Sequence, residues 1–327
     1  MDYDAAPPST DEAQHPPAVF ATLPGQADEC GESECGNVIG AEACSHAEHN
    51  PEDHDLRLFY QTCEGRTCPQ GFEDWINDRA DKALHRLVDG KKAYAEEGKN
   101  LGPVKHVIFS PPPEETDAYR NEDGYGQLVR DAYEHAREAG MDGGVAIPHL
   151  WRLSDDLKAC LRDEGYGIGE ENGGLWQGVH DDALGLGHWR TYVTFSPHVH
   201  LLGTGYLENA REFNDRTGWV YHNKGKRPSP GSVHSTAAYI LSHAALVDGS
   251  RALRWWGVFS YNKLAKVEEL VRREPKTCEC GEPIYEYPTT KDGTRVGWEH
   301  RGSPAERVEK TVLYRVVGKP PPGGVQC

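Results

Sequence analysis

The sequence predicts an α+β protein: a mainly antiparallel central sheet with helices on one face, preceded by a small cysteine-rich module. Three observations predict it. Short apolar runs of strand length alternate with segments whose apolar residues recur at helical spacing. Two of the apolar runs lie close enough in the chain to form a hairpin, which favours antiparallel pairing over a doubly wound sheet. Finally, residues 29–70 hold five of the nine cysteines and three histidines but little hydrophobic periodicity, as expected of a segment folded by metal.

Taken in order, residues 1–28 read as a disordered tail, with Pro7-Pro8 and Pro16-Pro17 among small and acidic residues. Residues 29–98 are the cysteine-rich module and a linking helix, in which Trp75, Ala83, Leu84, Leu87 and Val88 recur on one side. The central domain, residues 99–275, opens with an apolar run over 104–109 that Ser110 and three prolines bring to a stop, a first strand. Tyr125, Leu128, Val129, Ala132, Tyr133 and Ala136 then mark an amphipathic helix ending at Gly140, and 144–151 return as a second strand. Ser154 can cap a short helix to about Leu161. A strand follows over 192–203 with 219–221 as its hairpin neighbour, then a helix over 235–245, a strand over 255–260 and a closing helix. Residues 276–327 read as a small β-rich appendage. The sheet face without helices is then open to a substrate.

Thirty-five basic and 52 acidic side chains leave a formal charge of −17, which as a uniform field repels nucleic acid. The distribution is uneven. Between Arg211 and Lys276 twelve Lys or Arg face six Asp or Glu, a local balance of +6. An acidic, lysine-poor chain with two methionines also suits a high-salt cytoplasm. No secretory signal or long apolar run is present, so a soluble cytoplasmic protein with no membrane partner is expected. In a reducing compartment the cysteines are expected to bind metal and not to pair. Cys30-x₄-Cys35 and Cys63-x₄-Cys68 together supply a tetrahedral thiolate site for structural Zn²⁺, with Cys44-Ser-His46 as a possible replacement for one pair. Cys278 and Cys280 are too tightly spaced, without a second pair, to be read as a site.

In Phe195-Ser-Pro-His-Val-His-Leu-Leu-Gly-Thr-Gly, His198 and His200 are two apart on a strand, so both rings project from one face while Val199 and Leu201 point into the core. Two neutral imidazoles on one face can hold one divalent ion. A third ligand is needed, and His149 is the first choice because its strand would neighbour the pair. His188 and His106 are less favoured. Lys224, Lys226 and Arg227 fall in a Gly/Pro/Ser-rich loop that can track phosphates, and Trp255, Trp256 and Tyr261 offer stacking surfaces for unpaired bases.

The stretch Ser196-Pro-His-Val-His-Leu-Leu-Gly-Thr-Gly-Tyr-Leu resembles the central motif of the HUH endonucleases, in particular the rolling-circle replication initiators of archaeal, chiefly haloarchaeal, plasmids and viruses. Val107-Ile-Phe-Ser-Pro-Pro, Gly143-Gly-Val-Ala-Ile-Pro-His-Leu-Trp-Arg, Ala238-Tyr-Ile-Leu-Ser-His and Trp256-Gly-Val-Phe-Ser agree in order and spacing, so the resemblance covers roughly residues 70–275. It implies an RRM-like palm and an enzyme that nicks and rejoins single-stranded origin DNA. Tyr239 is then the nucleophile, forming a 5′-phosphotyrosine with Mg²⁺ or Mn²⁺, and Tyr221 and Tyr261 are fallbacks. His243, one turn beyond Tyr239, is placed to assist proton transfer or hold the phosphate, where many relatives carry Lys. Relatives also tend to carry Cys-Pro-x-Cys where this chain reads Cys68-Pro-Gln-Gly71. Without a phosphate-binding Gly-rich loop the protein is expected to depend on a host helicase and polymerase. An HUH transposase or relaxase, or a zinc-dependent DNA-binding protein without catalysis, are the alternatives.

Overall fold

A computed structural model describes residues 20–26, 30, 35–48, 54–167, 172–288, 298 and 301–317. In chain order its elements begin with β1 (Ala21–Thr22), β2 (Val38–Cys44), β3 (Leu56–Tyr60), α1 (Phe72–Glu96), β4 (Lys105–Ser110), α2 (Glu122–Glu138) and β5 (Met141–Leu153). They continue with α3 (Asp155–Asp163), α4 (Leu175–His180), β6 (Val193–Gly205), α5 (Ala210–Thr217), β7 (Val220–Lys226) and α6 (Pro230–Leu241). The last are β8 (Leu246–Val247), β9 (Arg254–Gly257), β10 (Leu264–Pro275), β11 (Ile284–Pro288) and β12 (Glu306–Val316). The chain is α+β, all its sheets are antiparallel among the described residues, and it divides into two compact units.

The first unit is Met1–Gln26 with Gly102–Ser260. Its five-stranded sheet has the order β7-β4-β6-β5-β9. Strand alternation sends Val107 and Phe109 of β4 and Val199 and Leu201 of β6 into one core with Tyr125, Leu128, Val129 and Ala132 of α2. Asn121 caps α2 by accepting from the Gly124 N–H. Gly140 (φ +97°) turns the chain back into β5, where a Cβ would meet the Tyr206 carbonyl at 2.1 Å. Gly144 lets β6 approach equally closely: a Cβ there would lie 2.1 Å from the Leu202 carbonyl. Ser154 caps α3 through the Leu157 N–H, as the sequence predicts.

Four expectations for this unit are corrected. The predicted hairpin partner of β6 is β7, but β7 pairs with β4 at the sheet edge, because β4 already occupies that side of β6. The helix expected over 235–245 begins earlier, since Ser229 and Ser232 form a reciprocal capping box and Pro230 suits the first turn. The sheet face opposite α2 is covered: His149, His198 and His200 on it are at most 5% exposed, and α6 packs against β6. Lastly, residues 20–26 of the predicted tail are ordered, with β1 paired to β8 and Leu23 fully buried. The rest of that tail, save these residues, lies outside the described residues.

The second unit joins Ala27–Leu101 to Tyr261–Cys327. It holds the sheet β11-β2-β3 and the ribbon β10-β12, with α1 against β12. The closing helix predicted after Ser260 is therefore the strand β10, and residues 261–275 belong to this unit. Leu264, Val267, Leu270 and Val271 have near-helical spacing, but eleven residues of β10 find partners on β12 some forty positions later, and that pairing decides the conformation. Arg86 of α1 donates to the Leu264 carbonyl (2.6 Å) and lies over the Tyr261 ring, while Asp89 accepts from the Val312 N–H (3.3 Å).

Candidate functional site

β4, β6 and β5 are adjacent, and their register assembles a histidine cluster on the face opposite α2. His149 stands across from His198, and His200 lies between Ile108 and Ile147. The end of α6 adds His243. One ring nitrogen from each of His149, His200 and His243 lies within 4.8 Å of the others, and no carboxylate joins the group among the described residues. The rings of His149 and His200 are 4.2 Å apart, those of His149 and His243 4.4 Å. Both nitrogens of His149 are buried without a hydrogen bond, an arrangement that a bound ion would relieve.

His198, expected as half of the clamp, is a neighbour of this trio and not a member. Its ring is 5.2 Å from that of His149, and its Nδ1 is 2.7 Å from the Ser196 carbonyl, which holds the imidazole along its own strand. His243, expected to assist proton transfer or hold the phosphate, lies with His149 and His200. Its other side is engaged: Nδ1 is 3.3 Å from the Ser242 hydroxyl, and Trp176 stacks on the ring at 4.7 Å. His188 lies apart, accepting from the Arg190 N–H at a turn.

His106, less favoured in the sequence together with His188, is a buried neighbour of the cluster. Its Nε2 is 2.8 Å from His200 Nδ1, and its Nδ1 is 3.2 Å from Arg227 Nη2. Arg227 can only donate, so a neutral His106 accepts at Nδ1 and donates from Nε2 to His200. A neutral His200 then keeps its own proton on Nε2, which must be displaced before that atom can hold an ion. Burial holds His106 and His198 down to about 3, reinforced by Arg227 and Lys224 for the first and by Arg152 for the second. Burial and the neighbouring imidazoles hold His149, His200 and His243 well below the ordinary range, so the cluster is neutral at pH 7.

Tyr239 lies on the last turn of α6, four residues before His243 just past the helix end, with the two rings 4.9 Å apart. It is 39% exposed, its hydroxyl makes no hydrogen bond among the described residues, and burial of the ring raises its pKa. The fallbacks fare differently. Tyr221 is buried and donates to the Glu208 carbonyl, while Tyr261 belongs to the second unit.

Arg227 is not free for a phosphate. Nε donates to the Thr236 hydroxyl (2.6 Å), Nη1 to the carbonyls of Lys224 (3.1 Å) and Lys226 (3.2 Å), and Nη2 faces His106. Lys224 and Lys226 are exposed, but they lie on the edge strand β7 and not in a loop. Trp256 is core, stacked on Tyr133, as expected for one of two adjacent tryptophans on a strand. Arg152, whose Nη2 donates to Ser110 (2.9 Å), is a cation beside His198 that the sequence reading missed, although it ends the quoted β5 motif.

In the second unit Cys30, Cys35, Cys63 and Cys68 offer four sulfurs within 4.8 Å of one another, a group that could hold zinc. Cys30 and Cys63 sulfurs are 3.5 Å apart, those of Cys35 and Cys68 3.7 Å. Burial pushes the Cys68 thiol up, but hydrogen bonding to Cys30 and the Gln70 and Gly71 N–H groups bring it to about 7. Gly71 donates its N–H to Cys68 Sγ (3.3 Å), and a Cβ there would stand 2.9 Å from Cys63 Sγ. Cys44 does not replace either pair. It lies instead beside Cys278 and Cys280, so the view that those two lack partners is corrected. No helix among the described residues is long and apolar enough to cross a membrane. No protein-family model, curated protein or solved structure matches the chain.

Proposed function

We propose that the first unit is a metal-dependent single-strand DNA nickase and strand transferase of the rolling-circle initiator type. The observation that carries this reading is the convergence of three buried imidazoles with an exposed, unbonded tyrosine one helical turn from one of them. An ion held by His149, His200 and His243 would polarise the phosphoryl oxygen. An all-nitrogen donor set suits Mn²⁺ far better than Mg²⁺, which prefers oxygen ligands. Tyr239 attacks the phosphorus through its hydroxyl oxygen, giving its proton to solvent at the exposed edge of the ring. The P–O3′ bond breaks, the DNA 3′-oxygen takes a proton and leaves as a hydroxyl, and the phosphate stays on tyrosine. The phosphodiester is conserved, so a later 3′-hydroxyl can reverse the step without ATP. Lys224 and Lys226 supply phosphate contacts along the edge strand.

The test is a covalent adduct. Incubated with Mn²⁺ and single-stranded origin DNA, the protein should give a complex stable to denaturation that Tyr239→Phe abolishes. An adduct that survives in the Phe variant rules out this nucleophile. Binding with no adduct at any salt concentration favours a zinc-dependent DNA-binding protein without catalysis.

A further inference from the structure

Outside the sites already described, the four donors Cys44, His54, Cys278 and Cys280 converge in the second unit, each offering one ligand atom within 4.8 Å of the rest. Cys44 and Cys280 sulfurs are 3.9 Å apart, and Cys278 Sγ is 3.9 Å from His54 Nδ1. In a tetrahedral zinc site with Zn–S near 2.3 Å, sulfurs stand about 3.8 Å apart, so the spacing already matches. We propose a second structural Zn²⁺ site here, of Cys₃His type, which clamps the two chain segments of this unit together.

Local structure prepares the donors. Cys278-Glu279-Cys280-Gly281 is a tight turn in which the Gly281 N–H reaches the Cys278 carbonyl (2.9 Å) and the Cys278 N–H reaches Glu282 (2.9 Å). Gly281 (φ +91°) supplies the left-handed residue that closes it. The turn feeds β11, whose Ile284 pairs with Cys44 at the end of β2, so strand register delivers the two thiols of the turn to the third. His54 comes from the segment just before β3. The His46 N–H donates to Cys44 Sγ (3.4 Å), the kind of backbone contact that stabilises a thiolate.

Among the described residues the core around these donors is small, with Ala43, Ala47 and Tyr287 forming a second cluster on the same strands. The cluster at the donors consists of Cys44, Cys278, Ile284 and Ala305, and two of its four members are ligands. Between the two halves of the unit the chain leaves to build Gly102–Ser260. A metal bond across that excursion replaces the hydrophobic area the segment lacks. With all four positions filled by protein, the ion has a structural role. The site stands whether or not the histidine cluster cleaves DNA.

The test is metal content and thiol reactivity of the full chain under reducing conditions. Cys278→Ser/Cys280→Ser should lose one zinc equivalent per chain relative to wild type, as should Cys63→Ser/Cys68→Ser, each independently. A folded Cys278→Ser/Cys280→Ser protein with undiminished zinc overturns the proposal. Should that variant fail to fold, alkylation of the wild type decides. With zinc bound, Cys44, Cys278 and Cys280 should resist N-ethylmaleimide and react only after chelation, while exposed Cys160 reacts in both states. Because Cys280 is also exposed, its alkylation as fast as Cys160 in the zinc-bound protein overturns the site.

Discussion

Arg227 shows how one side chain changes meaning once its neighbours are known. In the sequence it is the third cation of a basic stretch; in the fold its donors are spent on Thr236, three strand carbonyls and His106. Arg227→Ala should therefore cost roughly 1–2 kcal/mol of stability in urea unfolding, the worth of charged hydrogen bonds in a half-buried setting. Lys224→Ala or Lys226→Ala should leave stability within about 0.5 kcal/mol and lower the salt dependence of single-strand binding by about one counterion each. A reversed pattern would return Arg227 to the proposed DNA interface. The histidines make an equally sharp contrast. His243→Ala should eliminate Mn²⁺ binding measurable by calorimetry, whereas His198→Ala, which supports the cluster from beside it, should weaken it by roughly 10–100-fold. Equal losses would restore His198 to the ligand set.

At the level of elements, α6 carries both Tyr239 and the approach to His243, so its N-terminal cap matters to the site at its far end. The Ser229–Ser232 capping box satisfies backbone donors that would otherwise be orphaned. Ser229→Ala should cost roughly 0.5–2 kcal/mol, read as a lowered unfolding midpoint, while Ser229→Asp should recover most of it. Strand β10 shows where local reading fails. Its apolar residues at 264, 267, 270 and 271 satisfy a helical template, and most of the strand is exposed on both faces, so burial offers no period-two signal to contradict it. Only the ladder to β12 selects the extended form.

The whole chain is discontinuous in its second unit, and its small sheet relies on metal-ready cysteines more than on area. Chelation of zinc should therefore melt the signals of the second unit while the five-stranded sheet of the first persists, observable by hydrogen exchange. Acid acts on the same unit through Asp89. Burial raises this carboxyl, but Lys92, His85 and the Val312 N–H more than offset it and leave it below its ordinary range. A carboxyl with a lowered folded pKa stabilises the protein above its unfolded value and loses that contribution as pH falls. The stability advantage of wild type over Asp89→Asn should thus be full at pH 6 and shrink below about pH 4. An advantage that grows on acidification would contradict the ion-pair geometry.

The sequence by itself determined the α+β alternation, the core face of α2 and β6, the Ser154 cap and the four cysteines that converge in the second unit. Each of these rests on local periodicity or on short spacing, which a linear chain displays directly. It also brought His149, His200, His243 and Tyr239 into view, though with His198 as ligand and His243 as helper. Which imidazoles meet was decided by the tertiary structure, because strand register and the end of α6 set which rings are neighbours, while sequence spacing says only which face a residue is on. The same holds for His106, hidden on β4 until β6 lies beside it. It holds most of all for Cys278 and Cys280, whose partners Cys44 and His54 lie more than two hundred residues earlier and become neighbours only through the β2–β11 ladder.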